Sequence, residues 1–320
     1  MNELRVGSLC TGIAGLELGL RLAGIDVEPV FVSDIDKGAN EWLEANMPDT
    51  PNLGDFSALD SLPSVDLLTA GFPCQPLSTA GQRKGVNDER WLFDDICRLV
   101  GRMESRPLVF LENVPGLLTA NNGDAMARVV HGLAAIGYSI TWGTLAAAAV
   151  GAPHRRLRWW GLAYPADTDS GRPGQGRTEP SRVTVSEHAA DAVADTDSPN
   201  SETRQHTRPG SQRIREQPVG HPAHHFGRYV DAVRRWELIL GRAAQLPVDD
   251  ERRLSAYFVE WMMGYPEGYV TSTLTSRRRA LHALGNAVVP QCAAAAFTAL
   301  LARVNDQAAG GPINAGGLGR

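Results

Sequence analysis

The sequence predicts an α/β fold: a doubly wound, mostly parallel sheet joined to a smaller, loop-rich second domain. Three observations predict it. Short apolar runs alternate with amphipathic stretches from residue 5 to about 160. Chemically distinctive residues stand where those apolar runs end. From about residue 164 to 225, hydrophobic periodicity vanishes and Pro, Gly, Ser, Thr, Arg, His and Asp dominate.

Each element follows from the residues in turn. Residues 6–10 read as a strand, followed by the turn Gly12-Ile-Ala-Gly15 and a helix over 16–22 that ends at Ala23-Gly24. A second strand over 30–33 has an acidic end, Asp34 and Asp36, and 37–46 is helical. The third strand, 65–70, runs into Gly71-Phe-Pro-Cys74-Gln. A helix over 92–104 precedes the fourth strand, 108–111, which ends at Glu112-Asn113. A helix over 125–136 and strands over 138–145 and 157–163 complete the sheet. Beyond the loop-rich stretch, helical spacing returns over 226–246 and over 254–263, where Gly264 and Pro266 close the helix. A last helical segment, 279–304, is interrupted by Gly285 and Pro290, and a glycine-rich tail begins at 310. The pentapeptide Ala-Asp-Thr-Asp-Ser stands at 166–170 and 194–198, two copies being too few for a solenoid.

Composition narrows the class. The chain has 320 residues, 43% apolar and 21% charged, which excludes a wholly disordered, collagenous or coiled-coil protein. Four scattered cysteines exclude a disulfide framework and an all-cysteine zinc site, and no metal is expected. The first ten residues lack a basic stretch followed by an apolar run. The longest apolar stretch, 287–302, is broken by Pro290 and Gln291 and falls short of the ~20 residues of a membrane span. A reducing cytoplasm is the natural location. The net charge of −5 conceals an asymmetry: residues 1–150 carry 10 basic and 19 acidic groups, 151–250 carry 14 and 13, and 251–320 carry 7 and 4. A bound polyanion is expected against the later segments.

Four motifs stand at strand ends. The turn around Gly12 and Gly15 lets backbone approach a nucleotide-like ligand, and tight βα turns favour glycine anyway. Asp34, about twenty residues on, suits either a ribose diol or a helix N-cap. Cys74 lies between Pro73 and Pro76, a stiff loop that suits a nucleophile, although most free cysteines are small buried apolar groups. Glu112 ends an apolar strand; partial desolvation would raise its pKa and suit a proton donor, and a cap or surface acid fits the same place. Arg156 and Arg158, two apart on one strand face, suit an anion or a carboxylate, or simply a basic strand edge.

In order and spacing these motifs resemble those of the DNA cytosine-5 methyltransferases, bacterial or phage type. The matching residues are Thr11-Gly-Ile-Ala-Gly15, Pro73-Cys74-Gln75, Glu112-Asn113-Val114, Arg156-Leu157-Arg158 and Gly285-Asn286-Ala287-Val288, with 253–268 resembling the penultimate block. The resemblance covers the whole chain except its tail. It implies a Rossmann-like, S-adenosylmethionine-dependent methyltransferase that acts on a flipped-out cytosine in a short duplex DNA sequence. Residues 1–164 plus 277–305 would form the catalytic, cofactor-binding domain, 165–276 the target-recognition domain and 306–320 a flexible tail. Cys74 would attack cytosine C6, Glu112 would hold a proton at N3, and Arg156 and Arg158 would hold the base carbonyl and steady the thiol and carboxylate. Gly12 and Gly15 would face the methionine part of the cofactor, Asp34 the ribose hydroxyls, Ile35 the adenine ring and Asp55 the adenine amine. Asn286 would bridge cofactor and catalytic loop. Cys10 stands where the family usually has Phe, Ile35 where it usually has a bulky aromatic, and His154 where a Gln commonly opens the Arg-x-Arg motif. The implied partners are duplex DNA and a cognate restriction endonuclease that is not physically bound; the implied state is a monomer away from membranes. The alternatives are a tRNA cytosine-5 methyltransferase of the same fold and a catalytically inactive DNA-binding relative.

Overall fold

A computed structural model describes residues 3–73, 91–166 and 226–308. Its centre is a six-stranded sheet in the order β2-β1-β3-β4-β6-β5. The strands are β1 (Leu4–Leu9), β2 (Val27–Phe31), β3 (Leu67–Ala70), β4 (Leu108–Asn113), β5 (Tyr138–Ala146) and β6 (Leu157–Pro165). The helices are α1 (Gly15–Leu22), α2 (Lys37–Asn46), α3 (Phe93–Val100), α4 (Asp124–Ala135), α5 (Val230–Leu240), α6 (Ala256–Met262), α7 (Arg277–Asn286) and α8 (Pro290–Ala308).

The doubly wound reading follows from alternation along the central strands. On β4, Phe110 enters one core with Leu67, Trp160, Leu20, Trp42 and Phe297, whereas Val109 and Leu111 enter the other with Leu68, Phe93, Ile96 and Val129. Successive side chains leave opposite faces of a strand, so a strand buried on both faces reads as continuous apolar sequence. Helices α1, α2 and α8 cover one face; α3 and α4 cover the other. Trp236 of α5 and Trp261 of α6 lie in the same core as Trp160 and α8. The apolarity of α8 is that of a core helix: against it lies α1, where a Cβ on Gly19 would stand 2.5 Å from the Ala293 Cβ and 2.8 Å from the Pro290 carbonyl oxygen.

The sheet is mostly parallel, as the strand alternation predicts, with one strand running the other way. β1 pairs parallel with β2 and β3, and β3 with β4, but β6 is antiparallel to both β4 and β5. Only residues 147–156 separate β5 from β6. That is too short for the dozen or more residues of a parallel crossover. The reversal brings the amino end of β6 to the carboxyl edge of its neighbours.

Candidate active site

The site begins as a row of residues dictated by register. Leu9 pairs with Ala70, and Ala70 with Leu111, so Cys10, Gly71 and Glu112 form the next row across three adjacent parallel strands, the first two just past the ends of β1 and β3 and Glu112 still within β4. A Cβ built on Gly71 lies 3.7 Å from Glu112 Oε2 and 3.9 Å from the Cys10 carbonyl oxygen. Glu112 pairs across the sheet with Trp160, so Arg158 lies two residues along β6 on the same face. Its Nε meets Glu112 Oε1 at 3.0 Å. Had β6 run parallel, Arg158 would lie at the opposite edge.

Glu112 is buried, and burial pushes its pKa up from the ordinary carboxylate value; Arg158 and then Arg156 pull it back. A desolvated carboxyl held by one guanidinium is suited to share or donate a proton more readily than an exposed carboxylate. Asn113, which sequence reasoning leaves without a role, donates through Nδ2 to the Phe72 carbonyl at 3.2 Å. It thereby holds the strand-end loop 71–73 against β4. Cys74 follows directly in the chain and lies outside the described residues.

Arg156 differs from its expected role. It precedes β6, at a φ of 20°. Its Nη2 donates to the carbonyl of Gly285 at 2.9 Å and to that of Ala287. Arg158 therefore orients the carboxylate, while Arg156 grips the backbone of the C-terminal motif.

The glycine turn divides its two glycines. Gly12 has a φ of 58°, and a Cβ built there meets nothing within 4 Å, so its open side faces free space. Gly15 is tightly packed on its Cβ side: a Cβ there would stand 2.3 Å from the Tyr265 hydroxyl and 2.8 Å from Val288 Cγ2. Packing excludes the side chain. Tyr265 is a second residue that sequence reasoning missed; the tight glycine opposite it is the signal, but its partner is 250 positions away. Cys10 and Ala14 also take positive φ, 51° and 53°. Left-handed backbone is costly for such residues and persists where the surroundings enforce it.

Asp34 is not the cap of the following helix. Asp36 is, accepting from Gly38 N at 2.9 Å and Ala39 N at 3.0 Å. Asp34 accepts from Gly12 N and from Asp36 N, each at 2.8 Å, and so braces the glycine turn against the end of β2. Beside it Ile35 is 71% exposed. Asp55 caps a 3-10 turn through Ser57 N at 2.9 Å. Asn286 is exposed at the end of α7, with Nδ2 3.4 Å from His282 Nε2. The Cys10 thiol is pushed up to about 12 by burial and by the nearby Asp34 and Asp55 carboxylates. It is a neutral group at physiological pH. His154 is held through Nε2 by the Met262 carbonyl at 3.1 Å, and burial lowers its pKa.

Comparison with known proteins gives the family and the fold. The family described as "C-5 cytosine-specific DNA methylase" matches residues 4–302. Among curated relatives, the type II methyltransferase M2.BsuMI of Bacillus subtilis (strain 168) is 36% identical over 159 residues, 48% of this chain and 40% of that protein. M.HhaI of Haemophilus parahaemolyticus is 35% identical over 170 residues, 52% of this chain and 51% of that protein. The chain thus spans about two fifths to one half of the length of these relatives. Among solved structures, the Dnmt2 methyltransferase of S. pombe superposes with a TM-score of 0.58 at 19% identity, covering 95% of this chain and all of that one. A DNA modification methyltransferase encoded within an E. coli prophage gives 0.54 at 18% identity, covering 94% of this chain and 100% of that one. The structural likeness establishes the fold, and the match over 4–302 establishes more: the chain belongs to the C-5 cytosine-specific DNA methylase family.

Proposed function

We propose that this chain methylates C5 of a flipped-out cytosine within a short duplex DNA sequence, with S-adenosylmethionine as methyl donor. The observation that carries the reading is Glu112: a buried carboxyl tied to Arg158 and set beside the loop that leads into Cys74.

The residues present fit the cofactor. The open side of Gly12, the carboxylate of Asp34 and the exposed Ile35 lie at neighbouring strand ends, β1 and β2. Asp34 would hold the ribose hydroxyls through its remaining lone pairs, Ile35 would cover one face of the adenine, and Asp55 would accept from its amine. Cys10 would supply the apolar floor, and Asn286 would reach across from α7. Gly15 would meet the methionine part through its backbone, since Tyr265 fills the space where a side chain would stand. When bound, the cofactor supplies an electrophilic methyl on its sulfonium.

The chain's own groups do the rest. C5 of cytosine is a poor nucleophile until a nucleophile adds at C6. The Cys74 thiolate forms that C6–S bond and pushes the C5–C6 π electrons to C5, while Glu112 gives a proton to N3 and so removes the charge the addition would place on the ring. Arg158 holds Glu112 in position and faces the base carbonyl. After methylation the C5 proton passes to solvent, its electron pair re-forms the C5–C6 double bond as the C6–S bond breaks to return the Cys74 thiolate, and N3 gives its proton back to Glu112. The target carbon is inaccessible inside a duplex, so the base leaves the stack. Residues 165–250 would read the sequence. The free thiols described, Cys10, Cys97 and Cys292, fit a reducing compartment such as the cytoplasm.

The test is methyl transfer from labelled S-adenosylmethionine to duplex DNA and to tRNA in parallel, with trapping on 5-fluorocytosine DNA. Label in the duplex and a covalent complex support the reading. Label in tRNA alone replaces the substrate, and no label with intact DNA binding favours an inactive relative.

A further inference from the structure

Residues 285–288 form a short stretch of backbone between the glycine turn and Glu112, gripped from two sides. On one side Arg156 Nη2 donates to the Gly285 carbonyl at 2.9 Å and to the Ala287 carbonyl. On the other, the Tyr265 hydroxyl donates to the Val288 carbonyl at 3.0 Å. That same hydroxyl occupies the place a Cβ on Gly15 would take. A continuous chain of contacts therefore runs from the glycine turn through Tyr265 and 285–288 to Arg156, and from there to Arg158 and Glu112.

Arg156 is costly to place. Its Nε is buried with no hydrogen-bond partner, and its φ of 20° is rare for an L residue. Burial, with Arg158 nearby, lowers its pKa to about 10, so it stays a cation at neutral pH. Its charge acts on Glu112, whose carboxylate it favours. Both carbonyls accept from one nitrogen, Nη2, at the far end of the side chain, a reach that neither lysine nor glutamine matches.

We propose that Arg156 is a positioning residue that couples the cofactor cleft to the catalytic acid: it follows the placement of residues 285–288 through its two carbonyl partners and transmits it to Glu112 through its charge and through the start of β6. Asn286, the residue proposed to meet the cofactor, lies between the two gripped carbonyls. A ligand that orders this segment also sets the guanidinium. By linkage, a base bound beside Glu112 changes cofactor affinity by the same factor. The inference rests on the methyl-transfer reading.

The experiment measures duplex DNA affinity with and without S-adenosylhomocysteine, in the wild-type chain and in Arg156→Lys and Arg156→Gln. Wild type is expected to show mutual tightening of about 5-fold or more. Both variants should reduce that factor to less than about 2-fold, because both side chains are shorter and neither brings a donor to the place of Nη2. The pH profile separates charge from geometry. Arg156→Gln removes a cation near Glu112, so the limb where activity falls with rising pH should move to higher pH, whereas Arg156→Lys should leave it in place. Retained coupling in both variants overturns the inference. A wild type that binds both ligands without mutual effect overturns it as well and leaves the methyl-transfer reading standing; a wild type that binds no S-adenosylhomocysteine overturns both. Should the variants fail to fold, hydrogen exchange on the wild type decides: S-adenosylhomocysteine should protect amides at 155–158 as well as 285–288, and protection confined to the latter overturns the coupling.

Discussion

In the proposed reaction single side chains at the carboxyl edge carry the chemistry, and their roles separate by what each touches. Cys74→Ser should abolish turnover while DNA and cofactor binding persist, since a hydroxyl has nearly the size of a thiol but ionises far less. Single-turnover methyl transfer beside equilibrium binding checks this; near-normal turnover would remove the nucleophile from Cys74. Asp34→Ala has two expected effects. It removes the acceptor for Gly12 N and Asp36 N, at about 1–3 kcal/mol of stability. It also weakens cofactor binding, because a carboxylate facing a diol remote from the migrating methyl contributes uniform binding. Denaturant unfolding and the KM for S-adenosylmethionine read the two separately. Unchanged values of both would show that the carboxylate holds neither the turn nor the ribose. His154 gives a pH dependence. Burial lowers its folded pKa below the unfolded value of about 6.5, so the unfolded chain binds more protons in acid. The stability associated with neutral His154 is complete above about pH 6.5 and is lost as pH falls through the folded pKa. His154→Gln should flatten that slope in unfolding curves taken between pH 7 and pH 5; an unchanged slope would assign the proton uptake to other groups.

Elements are placed by close packing at small residues. In α1, Gly19→Ala would gain about 1 kcal/mol of helix propensity. The added methyl, however, meets Ala293 Cβ at 2.5 Å and the Pro290 carbonyl at 2.8 Å, neither of which is a flexible side-chain end. Overpacking of this kind costs about 1–3 kcal/mol, so the net change should be destabilising. A midpoint that rises in denaturant would show that α8 yields easily. Helix α1 begins at Gly15, where the absent side chain makes room for a tyrosine hydroxyl that arrives from residue 265.

At the scale of the whole molecule, the chain divides its work by charge and by fold. Residues 165–250 carry 11 of the 31 basic side chains and none of the catalytic motifs. Sequence is read by side chains that reach base edges, whereas phosphate contacts only position the protein. Grafting 165–250 onto a relative of known specificity should transfer the methylated site, as mapped by methylome sequencing of an expressing host. An active chimera that keeps the recipient's site would place recognition elsewhere. Within the segment, an arginine on a guanine edge should contribute about 1–3 kcal/mol of discrimination when tested by alanine substitution. One on phosphate should weaken all sequences alike and reduce the salt slope.

The amino-acid sequence alone determined the alternation of elements, because apolar period and turn residues are local properties. It also marked Glu112 and Asp34, because a carboxyl at the end of an apolar run is visible without a fold. The residue after a strand needs only its own neighbours to be recognised. Tertiary structure decided what those residues touch. Whether β6 runs up or down depends on how the chain returns from β5, and that direction alone puts Arg158 on Glu112. Arg156 and Arg158 look equivalent two positions apart, yet one binds a carboxylate and the other the backbone of residues 285 and 287. Asp34 and Asp36 likewise exchange the cap for the turn. In each case the deciding partner is distant in sequence or differs by one step of backbone direction, and hydrophobic periodicity carries no information about either.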